Sequence, residues 1–275
     1  MRSRRSRRAS VSSAWAISDN RVVLLAIDVG NTQTHIGAFD GTKLVEHWRF
    51  ATEREATGDQ LAATIHDLLS LRGIGFDRID GEAVSCVVPP LVSEYRQMFE
   101  RYLEREALIV GPGTKTGMPI LMDNPRELGA DRLVNAVAGY EQCGDACVIV
   151  DFGTAITYDA VSAAGEYLGG IISPGIEISL EALTSRAAKL PKIDIGEPGA
   201  LIGKSTEASI LSGVVHGFAA QVDGICARLR RELGDVTTIA TGGLASVIVG
   251  FTESIDVVDD LLTLKGLRLV YERNR

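Results

Sequence analysis

The sequence predicts an α/β chain made of two copies of one domain that face each other across a cleft. Two observations carry this. Three strand-like runs followed by helix occur twice, once from residue 22 and again from residue 146. In both series the first strand ends on an Asp that opens a turn. The stretch D-V-G-N-T-Q-T begins at Asp28 and D-F-G-T-A-I-T at Asp151, with Asp, Gly and Thr coinciding at offsets 0, 2 and 6. No low-complexity linker separates the copies, so the boundary is expected near Gly144, dividing residues 22–143 from 144–275 around a helix-packed hinge.

In the first copy, residues 22–28, 34–39 and 43–50 are β-branched and aliphatic runs, the last two joined at Asp40-Gly41, which predicts three antiparallel strands. Leu61, Ile65, Leu68 and Leu69 share one face of a helix over 58–73. Residues 82–88 read as a strand, and Pro89-Pro90 starts a helix through residue 102. A short strand over 107–110 precedes a helix over 128–142 that turns Leu133, Val134 and Val137 inward. The second copy has strands over 146–151, 154–161 and 167–172, then helices over 177–189 and 206–233. A strand over 237–241 runs into Gly242-Gly243, and a strand over 255–258 and a helix over 261–271 close the chain.

With 275 residues the chain has material for two modest domains. At 45% hydrophobic and 23% charged, with 8 Pro and 4 Cys, it is neither a disordered, a collagen-like nor a disulfide-framed sequence. The 29 Gly are in excess, which directs attention to tight turns and to close backbone approach. Of the formal net charge of −8, residues 1–21 contribute six Arg and one Asp, leaving 22 basic and 35 acidic groups, net −13, in residues 22–275. So acidic a body repels phosphate backbones, and no nucleic-acid partner is expected. Ser10, Ser12 and Ser13 interrupt the basic head, which therefore lacks the apolar stretch of a secretion signal and is expected to be a disordered extension over residues 1–21. No run approaches the roughly 18 uncharged apolar residues of a membrane span, so a cytoplasmic protein without a membrane partner is expected. Cys86, Cys143, Cys147 and Cys226 form no C-x-x-C pair, and free thiols are expected rather than a zinc site.

The turn after Asp28 offers backbone N–H groups that suit phosphate oxygens. Asn31, Thr32 and Thr34 add donors, while Asp28 suits Mg2+ held through water. One such turn alone reads equally well as a hairpin whose Asp and Asn satisfy their own amides. Two facing copies bring Asp28 and Asp151 into one cleft, with Thr154 and Thr157 completing the second turn, an arrangement suited to phosphoryl transfer. The chain has no G-x-x-x-x-G-K-[ST] loop. Gly242 and Gly243 either admit a flat ligand such as adenine or mark a strand-to-helix corner. At the start of the third helix, Asp131 can accept a hydroxyl proton and Arg132 can hold an anionic group through a bidentate fork. The alternative there is a carboxylate that only complements the helix dipole, beside its salt-bridged neighbour.

In order, D-V-G-N-T, G-A-D-R, D-F-G-T-A, Y-L-G-G-I-I-S-P-G, I-G-K-S-T and T-G-G-L-A resemble the type III pantothenate kinases, over about residues 24–269. The resemblance implies two ribonuclease H-like, actin-like α/β domains, as in heat-shock chaperones and sugar kinases. It implies ATP-dependent phosphorylation of the primary hydroxyl of pantothenate, the first step of coenzyme A synthesis. Asp131 would be the catalytic base. Asp28, Val29, Gly30 and Asn31, with Thr32, Gln33, Thr34 and His35, would form the first phosphate turn, and Thr154 would contact ATP. Asp151 would hold K+ or NH4+ beside the Mg2+ near Asp28. Gly129, Ala130, Asp131, Arg132 and Thr206 would bind pantothenate, in a homodimer with substrate near the subunit interface. Many members have Tyr where this chain has Met122, a position associated with the substrate pocket, and the Arg-rich head precedes the usual start. A non-catalytic accessory or regulatory member, or a kinase for another small hydroxylated substrate, are the other readings.

Overall fold

Two aliphatic strands seed the two halves, and each gathers the same neighbours. The structure, a computed structural model, describes residues 23–187 and 189–275, so the expectation for residues 1–21 lies outside the described residues. In the first half β1 (Val23–Val29) pairs antiparallel with β2 (Gln33–Asp40), which pairs antiparallel with β3 (Lys43–Ala51). On its other side β1 pairs parallel with β4 (Ile79–Cys86), and β4 with the two-residue β5 (Leu108–Ile109). In the second half β6 (Cys147–Phe152) takes β7 (Ala155–Val161) and then β8 (Tyr167–Pro174) on its antiparallel side. Its parallel side carries β9 (Thr237–Thr241) and the two-residue β10 (Val257–Val258). The orders β3-β2-β1-β4-β5 and β8-β7-β6-β9-β10 are therefore the same sheet built twice.

Helices fill the layers around and between these sheets. α1 (Gly58–Ser70) and α2 (Pro89–Leu103) bury Leu61, Ile65, Tyr95 and Phe99 against the first sheet. Thr57 caps α1, accepting from the Gln60 amide while the Gln60 side chain accepts from the Thr57 amide. On the far side of the second sheet lie α5 (Thr206–Leu233) and α6 (Ala245–Val249), with Val215, Ala219, Val222 and Ile248 inward. Between the sheets run α3 (Ala130–Cys143) and the C-terminal α7 (Leu262–Asn274). They cross closely because Gly266 packs its backbone on the Val134 carbonyl, where a methyl group would overlap it. α4 (Ile176–Arg186) follows β8.

Several boundaries differ from the sequence reading. α4 stops at Arg186 because the backbone turns extended at Ala187, short of the expected residue 189. The closing strand pairs only at Val257 and Val258, and α6 follows Gly242-Gly243 at the strand-to-helix corner that was one of the two readings there. By length and composition α5 is long and apolar enough to cross a membrane, which the count of uncharged residues did not anticipate. Its buried stripe packs on the second sheet. All four cysteines are free.

Candidate active site

The site is assembled from the C-terminal ends of the two central strands and the N-terminal end of α3. Asp28 lies opposite His35 on β2 and Ser85 on β4, and Asp151 opposite Thr157 on β7 and Thr241 on β9. Each is placed where a strand has an antiparallel neighbour on one side and a parallel one on the other, the point at which open sheets leave a crevice. Asp131 enters from the first turn of α3, where its Oδ1 accepts from the Arg132 amide at 2.8 Å. Gly129 makes room for that fold-back, since a Cβ there would lie 2.5 Å from the same oxygen.

The three carboxylates are half-buried, and the charge of Asp131 reaches both of the others. Burial first, then the charges of Asp131 and Asp151, raise Asp28 from the ordinary 3.8 to about 8. Burial, then Asp131 and Asp159, raise Asp151 to about 7. Burial also raises Asp131, with the Arg132 amide and charge offsetting only part. Arg49 on β3 lowers both Asp28 and Asp151 and donates to the Asp260 carbonyl at 3.3 Å in the other half. Such a cluster has the chemistry of a cation site. Asn135, one helical turn beyond Asp131, donates to Asp151 Oδ2 at 3.0 Å and leaves its own Oδ1 buried without a partner, a free acceptor beside the carboxylate. Among the described residues no three His, Cys, Asp or Glu side chains could enclose a metal by themselves.

The two turns resemble each other and touch. The Gly30 amide donates to the Gln33 carbonyl at 3.0 Å and the Gly153 amide to the Ala155 carbonyl at 3.2 Å. Thr32 and Thr154 meet across the cleft, Oγ1 to Oγ1, at 3.2 Å. Asn31 is held by Arg54, whose Nη2 donates to its Oδ1 at 2.7 Å. Val29 and Thr34 are buried, the latter bonded to Thr52 Oγ1 at 2.9 Å, so Val29 offers the cleft only its backbone. His35 is kept neutral, lowered to about 3 by burial and by Arg49 and His47, and its Nε2 shares a hydrogen bond with His47 Nδ1 at 3.1 Å. Gly242 has φ +96°, and a Cβ there would lie 2.5 Å from Asp151 Oδ1, so its first service is to let β9 approach the second turn. Gly243 faces open space.

Arg132 is ion-paired with Asp159 of β7. Met122 is half-buried in the segment that Pro119 and Leu121 stitch to Tyr167. Thr206 stands apart: it begins α5 and lines a groove of about 890 Å³ between α4 and α5 that includes none of the three aspartates. Arg49, Asn135 and Asp159 escaped the sequence reading. Asn135 and Asp159 left a signal, each a polar residue inside an apolar run, L-V-N-A-V-A and Y-D-A-V.

A sequence profile of the type III pantothenate kinases matches residues 24–228. The chain belongs to the type III pantothenate kinase family. It is 51% identical over 253 residues to the type III pantothenate kinase of Myxococcus xanthus, covering 92% of this chain and 99% of that one. With the Streptomyces avermitilis enzyme of that name it shares 52% over 262 residues, covering 92% and 98%. Membership of this kinase family implies ATP and a divalent metal. Among solved structures, a candidate transcriptional activator of the Baf family from Campylobacter jejuni matches with a TM-score of 0.54 at 18% identity, covering 91% and 98%. A candidate N-acetylmannosamine kinase from Listeria monocytogenes matches with 0.54 at 11%, covering 92% and 99%. These likenesses concern the fold, the duplicated α/β architecture predicted from the two aspartate turns and the actin-like form implied by the family resemblance.

Proposed function

We propose that this chain transfers the γ-phosphoryl group of ATP to the primary hydroxyl of pantothenate, giving 4'-phosphopantothenate in the first step of coenzyme A synthesis. One observation carries the reading beyond family membership: Asp28, Asp131 and Asp151 come from three separate elements to one cleft, close enough that the Asp131 charge raises the proton affinity of both others. Asp131 accepts the hydroxyl proton as the oxygen attacks phosphorus and ADP departs, and burial has already made it the stronger base that this needs. The turn amides from Gly30 to Thr34, with Thr32 and Thr154, bind phosphate oxygens, and Gly242 and Gly243 border the adenosine. Asp28 would hold Mg2+, and Asp151 with Asn135 Oδ1 would hold K+ or NH4+. When bound, these cations neutralise the charge of the transferring phosphoryl group and of the carboxylates around it. Gly129, Ala130, Arg132 and Met122 border the pantothenate.

We also propose a cytoplasmic homodimer. Ile171, Ile172, Ile178, Leu183, Leu201 and Ile202 are exposed on β8, on α4 and before α5. Thr206 lies near this apolar face rather than beside Asp131, as a pantothenate pocket completed across a subunit interface requires. ADP release from ATP and Mg2+ should depend on pantothenate and on K+, falling when Na+ replaces K+. Release that ignores pantothenate while another hydroxylated substrate supports it overturns the substrate assignment. Nucleotide binding without turnover points to an accessory protein. Light scattering of the enzyme in solution checks the dimer.

A further inference from the structure

Arg132 reaches the cleft already gripped. Its Nε donates to Asp159 Oδ1 at 2.8 Å and its Nη2 lies 2.7 Å from the same oxygen. Asp159 is fully buried, and the Arg132 side chain is only 12% exposed. The Tyr167 hydroxyl donates to that same Oδ1 at 2.6 Å, and Thr157 Oγ1 donates to Oδ2 at 3.1 Å. Four donor groups thus fix one carboxylate, and the carboxylate fixes one edge of the guanidinium. Gly170 of β8 clears the space, since a Cβ there would lie 2.5 Å from Arg132 Nη2 and 3.0 Å from Asp159 Oδ1. The fork that the sequence offered to substrate is therefore occupied by protein. What is left is the Nη1 edge, for which no described residue supplies an acceptor.

Tyr167 has a second attachment. Its amide donates to the Pro119 carbonyl at 2.8 Å, and its carbonyl accepts from the Leu121 amide at 2.8 Å. The segment leading to Met122 and the guanidinium of Arg132 are thereby registered on one residue, from its backbone and its side chain respectively.

We propose that Asp159, braced by Tyr167 and Thr157, is a positioning residue that holds one edge of Arg132 so that the Nη1 edge meets the carboxylate of the substrate. The inference rests on the kinase reading above and deepens it. A buried ion pair of this kind adds little net stability over apolar packing, while a guanidinium locked in direction loses less freedom on binding an anion. Asp159 sets geometry here and does not touch the reacting atoms.

The test compares two acceptors with the same primary hydroxyl: pantothenate, and pantothenol, in which a neutral hydroxymethyl group replaces the carboxylate. Asp159→Asn keeps the shape and removes the charge. KM for pantothenate should rise by about 10- to 100-fold, the loss expected for a misaligned charged hydrogen bond, with kcat changed by less than about threefold. KM for ATP and for pantothenol should stay within about threefold of wild type. Tyr167→Phe removes one donor from the same oxygen without stranding Arg132, and should shift pantothenate KM in the same direction by a smaller factor. It carries the test if Asp159→Asn does not fold. Equal losses for both acceptors, or a fall in kcat at constant pantothenate KM, overturn the assignment of Asp159. A wild-type enzyme that phosphorylates neither acceptor removes the kinase reading and this inference with it.

Discussion

Burial and the Asp131 charge raise Asp28 and Asp151 well above the usual carboxylate range, which ties the stability of the nucleotide-free, metal-free protein to pH. With Asp28 raised from 3.8 to about 8, the folded chain keeps a proton that the unfolded chain has released. Stability should therefore fall progressively as pH rises from about 4 to about 8 and level off above that. Thermal unfolding across this range checks it: Asp28→Asn should flatten the decline, and a wild-type curve that rises with pH contradicts the electrostatics. Asp131→Asn should fold with an unchanged or higher melting temperature and lose about 10²- to 10⁴-fold in kcat, the usual worth of a positioned base. Near-wild-type turnover would remove Asp131 from that role. The aspartates were legible in sequence because each closes a patterned strand or opens a patterned helix. The state of His35 was not, because it depends on Arg49 and His47 from a neighbouring strand.

α3 concentrates the chemistry of the first half into little more than one turn. Asp131 and Asn135 are four residues apart and share a face, one carrying the proposed base and the other steadying Asp151. Asn135→Ala should raise the K+ concentration for half-maximal activity by about tenfold while leaving KM for pantothenate nearly unchanged, since its effect passes through the cation site. An unaltered K+ curve would exclude Asn135 from that site. Strand and helix order were readable from periodicity, because a central strand such as β1 or β6 is hydrophobic along its whole length. Edges were harder. β5 and β10 pair for only two residues each, and where pairing stops depends on a partner strand rather than on the residues' own preference.

The two halves share their middle layer. Leu133, Val134 and Val137 from α3 and Leu264, Leu267 and Val270 from α7 join Ala26 and Ala83 of the first sheet to Ile149 and Ile239 of the second in one core. Unfolding should accordingly be a single transition. Leu267→Ala, at a position with no exposure, should cost about 2–5 kcal/mol without splitting it. Two separated transitions in denaturant, by fluorescence and circular dichroism, would show the halves to be independent. At the cleft, Arg132 with Asp159 and Asn135 with Asp151 tie α3 to the second sheet. The two turns and the outer edges meet more lightly, by Thr32 with Thr154 and by Arg49 with the Asp260 carbonyl, which suits a site that must admit ATP.

The role of Asp131 came only from the family resemblance, but local pattern alone was enough for the duplication, the α/β class and the paired Asp28 and Asp151 turns, since strand alternation, helix periodicity and a repeated turn motif are properties of neighbours along the chain. It could not say that α7, the last helix, lies between the sheets, that Asp159 takes the fork of Arg132, or that Thr206 lines a groove apart from Asp131. Those facts join residues 27 or more positions apart, and such contacts are chosen by burial and packing among finished elements, not by the preferences of the residues that make them.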